Sequence, residues 1–183
     1  MAFWSEFIVI VAIISSIKAV FGSGLCPSRL SVKCHSRLIV ECFCPPEWQL
    51  WEKACYRLTE TPATWDDSHL DCRAMGEKMT APRSQEELNF MADLARKVDK
   101  SDYYAFIACN DAEVEGTWEC DGQEKSEPFL AWNGGELMSE NDEDCALISS
   151  ANGGMIDGQC SDPDRAFCVH QAVCTHGLVQ LPH

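Results

Sequence analysis

The chain has 183 residues, of which 46% are hydrophobic and twelve are cysteine, and its formal net charge is −15. That length fits one domain with appendages, and six Trp with eight Phe can build a core, which excludes ordinary disorder. Nucleic acid and anionic membranes are polyanions that need a basic face, so the charge argues against both as partners.

In chain order, residues 1–24 come first, with an apolar run at 7–14 followed by the small residues Gly22, Ser23 and Gly24. This reads as a secretory signal peptide, although Glu6 and the lack of Lys or Arg make its start atypical. A membrane anchor is the rival reading, but Ser15, Ser16 and Lys18 interrupt the run well before the ~20 apolar residues a span needs. The expectation is a secreted, extracellular protein with no membrane insertion after cleavage. All twelve cysteines follow residue 24. An even count on the secretory route reads as a disulfide framework. No cysteine pair has CxxC spacing and no HxxxH occurs, which argues against zinc.

Residues 25–43 carry three cysteines without a clear period and read as a short neck. A first helix is expected over 64–75, with Thr64 as N-cap, Asp67 in the first turn and Gly76 as a left-handed stop. Trp65, His69, Cys72 and Met75 fall on one face. A second helix is expected over 84–98, opened by a Ser84/Glu87 capping box, with Leu88, Met91, Leu94 and Val98 as its inward stripe. Strand character marks 54–58, 104–107, 116–118, 145–148 and 166–169. Residues 121–164 are rich in Gly, Asn, Asp, Glu and Pro and read as a long loop region, the kind that carries function or is pinned covalently. The tail from about Val169 holds three of the five histidines, which read as solvated.

The charge has an address. Residues 101–164 contain sixteen acidic residues and one base, Lys125, while the remainder is balanced. The motifs GxSxG, HExxH, P-loop and GxGxxG are all absent. Paired carboxylates could serve a glycosidase, but at this acid density chance pairs are inevitable.

Ten ordered pieces carry a family resemblance: CPPEW (44–48), WEKACYRL (51–58), TWDDSHLDC (64–72), SQEEL (84–88), FIACND (106–111), EGTW (115–118), DG (121–122), AWNGGE (131–136), EDC (143–145), and DGQC with RAFC (157–160 and 165–168). Residues 44–169 resemble a C-type lectin-like domain of the long form, with 170–183 as a C-terminal tail. The resemblance implies an α+β fold of two helices, two small antiparallel sheets and a disulfide-pinned loop region that holds the ligand site. It also implies a non-enzymatic protein. The implied bridges are Cys44–Cys55, Cys72–Cys168 and Cys145–Cys160, with an extra Cys109–Cys120 similar to one in some invertebrate deuterostome lectins. Cys26, Cys34, Cys42 and Cys174 remain. Cys26–Cys34 with Cys42–Cys174 is one solution and an interchain bridge is another, so the oligomeric state stays open.

In the family, one calcium ion holds the sugar, through six to eight oxygen ligands. Matched to the family's ligand positions, this chain keeps Glu136, Glu143 and Asp157 but has Met138 and Ile156 where amide ligands would stand. Neither coordinates calcium, and neither donates to a sugar hydroxyl as an amide does. The proline of the family triplet is replaced by Leu137, and a cis bond there would cost about 2.5–4 kcal/mol, so a different loop path is expected. An accessory calcium position falls on Asp111, Glu115, Glu143 and Asp144. Against it, Glu115 reads as part of a structural EGTW turn and Asp111 as a strand-end cap. Met138, Met155 and Ile156 beside Trp132 form either loop packing or an apolar patch ringed by acids, and Trp132 is also a candidate sugar platform. The expected function is carbohydrate recognition of a glycan or glycoprotein with weakened or altered calcium dependence. The alternative is calcium-independent binding of a protein, mineral or matrix ligand through the same acidic face, with Glu136, Met138, Glu143, Ile156 and Asp157 as the contact set.

Overall fold

The computed structural model describes residues 36–98, 103–123, 127–134 and 142–180. The chain divides into two compact units, 40–177 and a smaller one made of 1–39 with 178–183. The signal-peptide and anchor readings of 1–24, and the pair Cys26 and Cys34, lie outside the described residues.

Among the described residues, ten strands and two helices follow in order: β1 (Ser36–Phe43), β2 (Gln49–Trp51), β3 (Ala54–Leu58), α1 (Trp65–Ala74), β4 (Lys78–Met79), α2 (Gln85–Val98), β5 (Tyr104–Asn110), β6 (Glu119–Cys120), β7 (Cys145–Ser149), β8 (Met155–Gly158), β9 (Arg165–Gln171) and β10 (Val173–Gln180). The fold is α+β.

Both helices begin where their caps direct. The Thr64 side chain accepts from Asp67 N at 3.2 Å, and Gly76 leaves α1 with φ +80°. Ser84 Oγ accepts from Glu87 N at 3.2 Å. The return half of the box differs from expectation, because Glu87 Oε2 accepts from Arg83 N, one residue earlier, at 3.0 Å. Glu87 is itself buried, and its carboxylate also accepts from Tyr56 Oη and from the Arg83 guanidinium. Leu88, Met91 and Leu94 face inward with Ala92 and Ala95, whereas Val98, the last residue of α2, is 48% exposed. Met75 is likewise exposed, since α1 ends before it.

The resemblance implies two small antiparallel sheets. Here the strands form one eight-stranded sheet in the order β2-β3-β9-β5-β7-β8, with β4 on β9 and β6 on β5. The halves fuse through a short parallel pairing of β5 with β9, Ala105 opposite Arg165 and Phe106 opposite Ala166. β1 and β10 make a separate two-stranded ribbon, so the neck and tail residues within it have strand structure that their sequence does not signal. Two apolar clusters fill the interior. The larger joins α2 to β3, β5, β7 and Phe167, and the smaller gathers Cys72, Met79, Phe106, Leu147 and Cys168.

Five disulfides join described residues: Cys42–Cys174, Cys44–Cys55, Cys72–Cys168, Cys109–Cys120 and Cys145–Cys160. The last four are the same pairs that the resemblance implies. Strand 116–118 does not form. Those residues turn, Trp118 is buried, and the strand begins at Glu119. Within the expected loop region, β8 forms a regular antiparallel partner of β7, from Ile148 opposite Met155 to Cys145 opposite Gly158. A Cβ at position 158 would stand 2.8 Å from Leu147 Cδ1, so a larger residue there would make the buried Leu147 side chain shift.

Candidate functional site: the acidic loop face

β5, β7 and β8 carry the acidic segment. Asp111 directly follows β5 and is 5% exposed. Its Oδ2 accepts from Gly116 N at 2.8 Å, and its backbone N–H donates to Asp144 O at 3.1 Å. This is the capping role, and it organises the turn at 111–117. Its second oxygen, Oδ1, is buried and has no hydrogen-bond partner. Burial raises the Asp111 pKa, Glu115 and Asp144 raise it further, and the Gly116 N–H opposes them.

A raised carboxyl pKa means that the folded state holds its proton more tightly than the unfolded chain. Asp111 therefore makes stability fall as pH rises from the ordinary carboxylate value to its raised folded value. Asp111→Asn is expected to remove that decline, read as a flatter urea-midpoint profile on the acid side of neutrality.

Glu115 is exposed, while Glu143 and Asp144 are half-buried just before β7. Glu115 and Asp144 are close enough to act on Asp111, yet among the described residues no three His, Cys, Asp or Glu converge to hold a metal ion. Asp157 sits in β8 opposite Ala146, and Ile156 sits opposite Leu147 with its side chain partly buried against the smaller apolar cluster. Glu136 and Met138 lie outside the described residues.

The described donors do not fit a calcium ion of the family's sugar-bearing type. Ile156 offers hydrocarbon where an oxygen is needed, and at the separate accessory position Asp111, Glu115, Glu143 and Asp144 do not converge as a cluster of three or more among the described residues. A calcium ion at ten times its Kd would add about 1.4 kcal/mol to stability. The expected result is no such gain. The melting temperature in millimolar calcium should match that in chelator within ~1 °C, because even 1 kcal/mol moves a domain of this size by about 2–8 °C.

Trp132 packs inward. Its ring lies 4.7 Å from that of Trp118, and it bridges to Met155, which is fully buried. The platform role weighed for it is therefore disfavoured, and Met155 belongs to the core rather than to an exposed apolar patch. The base of the loop is held by contacts that the sequence does not announce. Asn133 Nδ2 donates to Asn152 Oδ1 at 2.9 Å, and Asn133 N donates to Met155 O at 2.9 Å. Gln123 accepts from Phe129 N at 2.7 Å and donates to Pro82 O at 2.8 Å. Side-chain amides in irregular segments have no periodicity to betray such partners. With Cys145–Cys160, these contacts pin the loop base.

The family model for the lectin C-type domain matches residues 61–170. This chain belongs to the C-type lectin family. A relative in the family, C-type lectin domain family 4 member M of Hylobates lar, is 33% identical over 135 residues, which cover 73% of this chain and 33% of that protein. The chain thus spans about a third of the length of the curated relatives it matches. Among solved structures, a calcium-independent type II antifreeze protein is similar in fold, with a TM-score of 0.63 at 21% identity, covering 73% of this chain and 98% of that one. The C-type lectin domain of murine dendritic cell inhibitory receptor 2, solved in complex with N-glycan, gives a TM-score of 0.59 at 25% identity, covering 70% and 99%. C-type lectin domains commonly bind calcium and some neighbours of this chain do not, so the family alone leaves the metal question to the residues at the site.

Proposed function

We propose that this C-type lectin is a secreted, non-catalytic recognition protein that binds a glycan or glycoprotein without the family's calcium-centred sugar clamp. One observation carries the metal-free part of this reading. Ile156 is paired in β8 and packed against the apolar cluster, at the position where an amide oxygen would reach the ion. Family membership and the N-glycan complex of the murine domain support the glycan part. The residues 44–169 would be the binding domain, with 25–43 as its neck and 170–183 as its tail.

The acid density of residues 101–164 favours a second reading, in which the same face binds a basic protein or matrix ligand. A graft tests the metal-free part of the proposal. Met138→Asn with Ile156→Asn restores two amides that can ligate calcium and donate to sugar hydroxyls. The expected result is calcium-dependent sugar binding in the graft and none in the wild type. Sugar binding by the wild type that chelator abolishes would contradict the proposal.

A further inference from the structure

A second concave site lies on α1, outside the acidic loop. It has a volume of about 420 Å³ and is lined by Trp65, Asp66, His69, Leu70, Arg73 and Asp121. That volume falls in the range of about 300–1,000 Å³ typical of small-ligand pockets. Five of the six residues come from one short helix, with Trp65 and His69 half-buried and Asp66, Leu70 and Arg73 exposed. The sixth, Asp121, follows β6 and is fixed by its backbone N–H donating to Ala108 O at 2.8 Å.

The lining combines two kinds of surface. Trp65 and His69 stand one helical turn apart, with ring centroids 4.2 Å apart in an edge-on arrangement. The indole is anchored by Nε1 donating to Ile107 O at 2.9 Å, so this aromatic pair is held rigidly. Leu70 extends it and is 58% exposed, a large apolar side chain left uncovered on a helix. Around these, Asp66, Arg73 and Asp121 are exposed, and none of them forms an ion pair with a described residue. His69 Nε2 is buried without a hydrogen-bond partner. Burial lowers the His69 pKa, which keeps the ring neutral and able to accept or donate.

We propose that this α1 pocket is a metal-free subsite for a neutral or amino sugar ring, with Trp65, His69 and Leu70 facing the sugar's C–H surface and Asp66, Arg73 and Asp121 bonding its hydroxyls. Carboxylates accept from hydroxyls and a guanidinium donates to them, so the three charged groups supply both halves of a hydroxyl's requirements. Charge-assisted bonds of this kind replace what a calcium ion provides elsewhere in the family. Two carboxylates against one guanidinium leave the pocket net negative, which disfavours sialylated or sulfated ligands. The larger concavity beside β4 and β9 has no comparable aromatic floor, and its His170 and Glu77 are already paired with each other.

This inference rests on the glycan reading above, and the test keeps the two apart. Isotope-labelled protein in chelator is titrated with methyl glycosides of neutral hexoses and N-acetylhexosamines, following the Trp65 indole N–H resonance. Asp66→Asn and Arg73→Ala are titrated in parallel, with melting curves to show that they fold. The expected result is a saturable shift at Trp65, weakened about tenfold or more in each variant, the effect of losing one hydrogen bond to a charged group. Sugar binding whose shifts are confined to β8 and Trp132, with both variants binding as the wild type does, overturns the subsite and leaves the glycan reading standing. Binding to no glycoside, together with an empty glycan array, overturns both.

Discussion

Glu87→Ala is expected to lower the unfolding free energy by about 1–3 kcal/mol, the cost of leaving the buried Tyr56 hydroxyl without its acceptor. Glu87 is 1% exposed and Tyr56 is fully buried. Its two oxygens accept from Tyr56 Oη, from Arg83 N at 3.0 Å, and from Arg83 Nε and Nη2, each at 3.1 Å. Alanine would strand the tyrosine hydroxyl in the core and free the chain entering α2. The tyrosine reports the coupling from its own side, since burial and the Glu87 carboxylate both push its pKa upward. Glu87→Gln keeps one acceptor and should cost less. Tyr56→Phe should cost about 1–3 kcal/mol, because it leaves a buried carboxylate oxygen short of a donor. Urea unfolding gives these values directly, and a loss below ~1 kcal/mol for Glu87→Ala would show that the network is not the anchor described.

Among the bridges Cys72–Cys168, Cys145–Cys160 and Cys109–Cys120, removal of Cys72–Cys168 should cost the most. The bridge closes a loop with a sequence separation of 96 and ties α1 to β9. On the chain-entropy account, a loop near 100 residues contributes about 4.7 kcal/mol, against about 3 kcal/mol for one near 15. Cys145–Cys160, with a separation of 15, and Cys109–Cys120, with 11, belong to the second group. Paired alanine variants should therefore rank by loop length in their denaturant midpoints. Both Cys72 and Cys168 are fully buried beside Met79 and Phe106, so alanine there also opens space in the smaller apolar cluster. An equal midpoint for the Cys72/Cys168 and Cys109/Cys120 variants would contradict this ranking.

How far the sequence could be read followed from where the physical signal was local. Thr64, Ser84 and Gly76 mark helix ends through chemistry within a few residues, and the helices lie where those residues direct. β8 escaped because its four residues are set among glycine and loop-type residues, and only the partner strand β7 makes it regular. The β1–β10 ribbon joins segments more than 130 residues apart, and nothing within either segment signals the other. Val98 fits the helical period of α2 but is its last residue and is left half exposed. At the loop face, the residue types were legible and their roles only in part. Asp111 could be read both as a cap and as a ligand, and its geometry is that of a cap with one oxygen left over. The change from amide to Ile156 was visible as chemistry, while its packing against the apolar cluster depends on the pairing with Leu147. The α1 pocket was not legible at all. Trp65 and His69 look like an inward stripe in sequence, and Asp121 joins them only through the fold.

The central claim is that this lectin recognises its ligand without calcium. The most direct measurement is a glycan array probed with the full chain in calcium and again in chelator. The account predicts the same glycan hits at the same strength in both. Hits that vanish in chelator and return with calcium would contradict it.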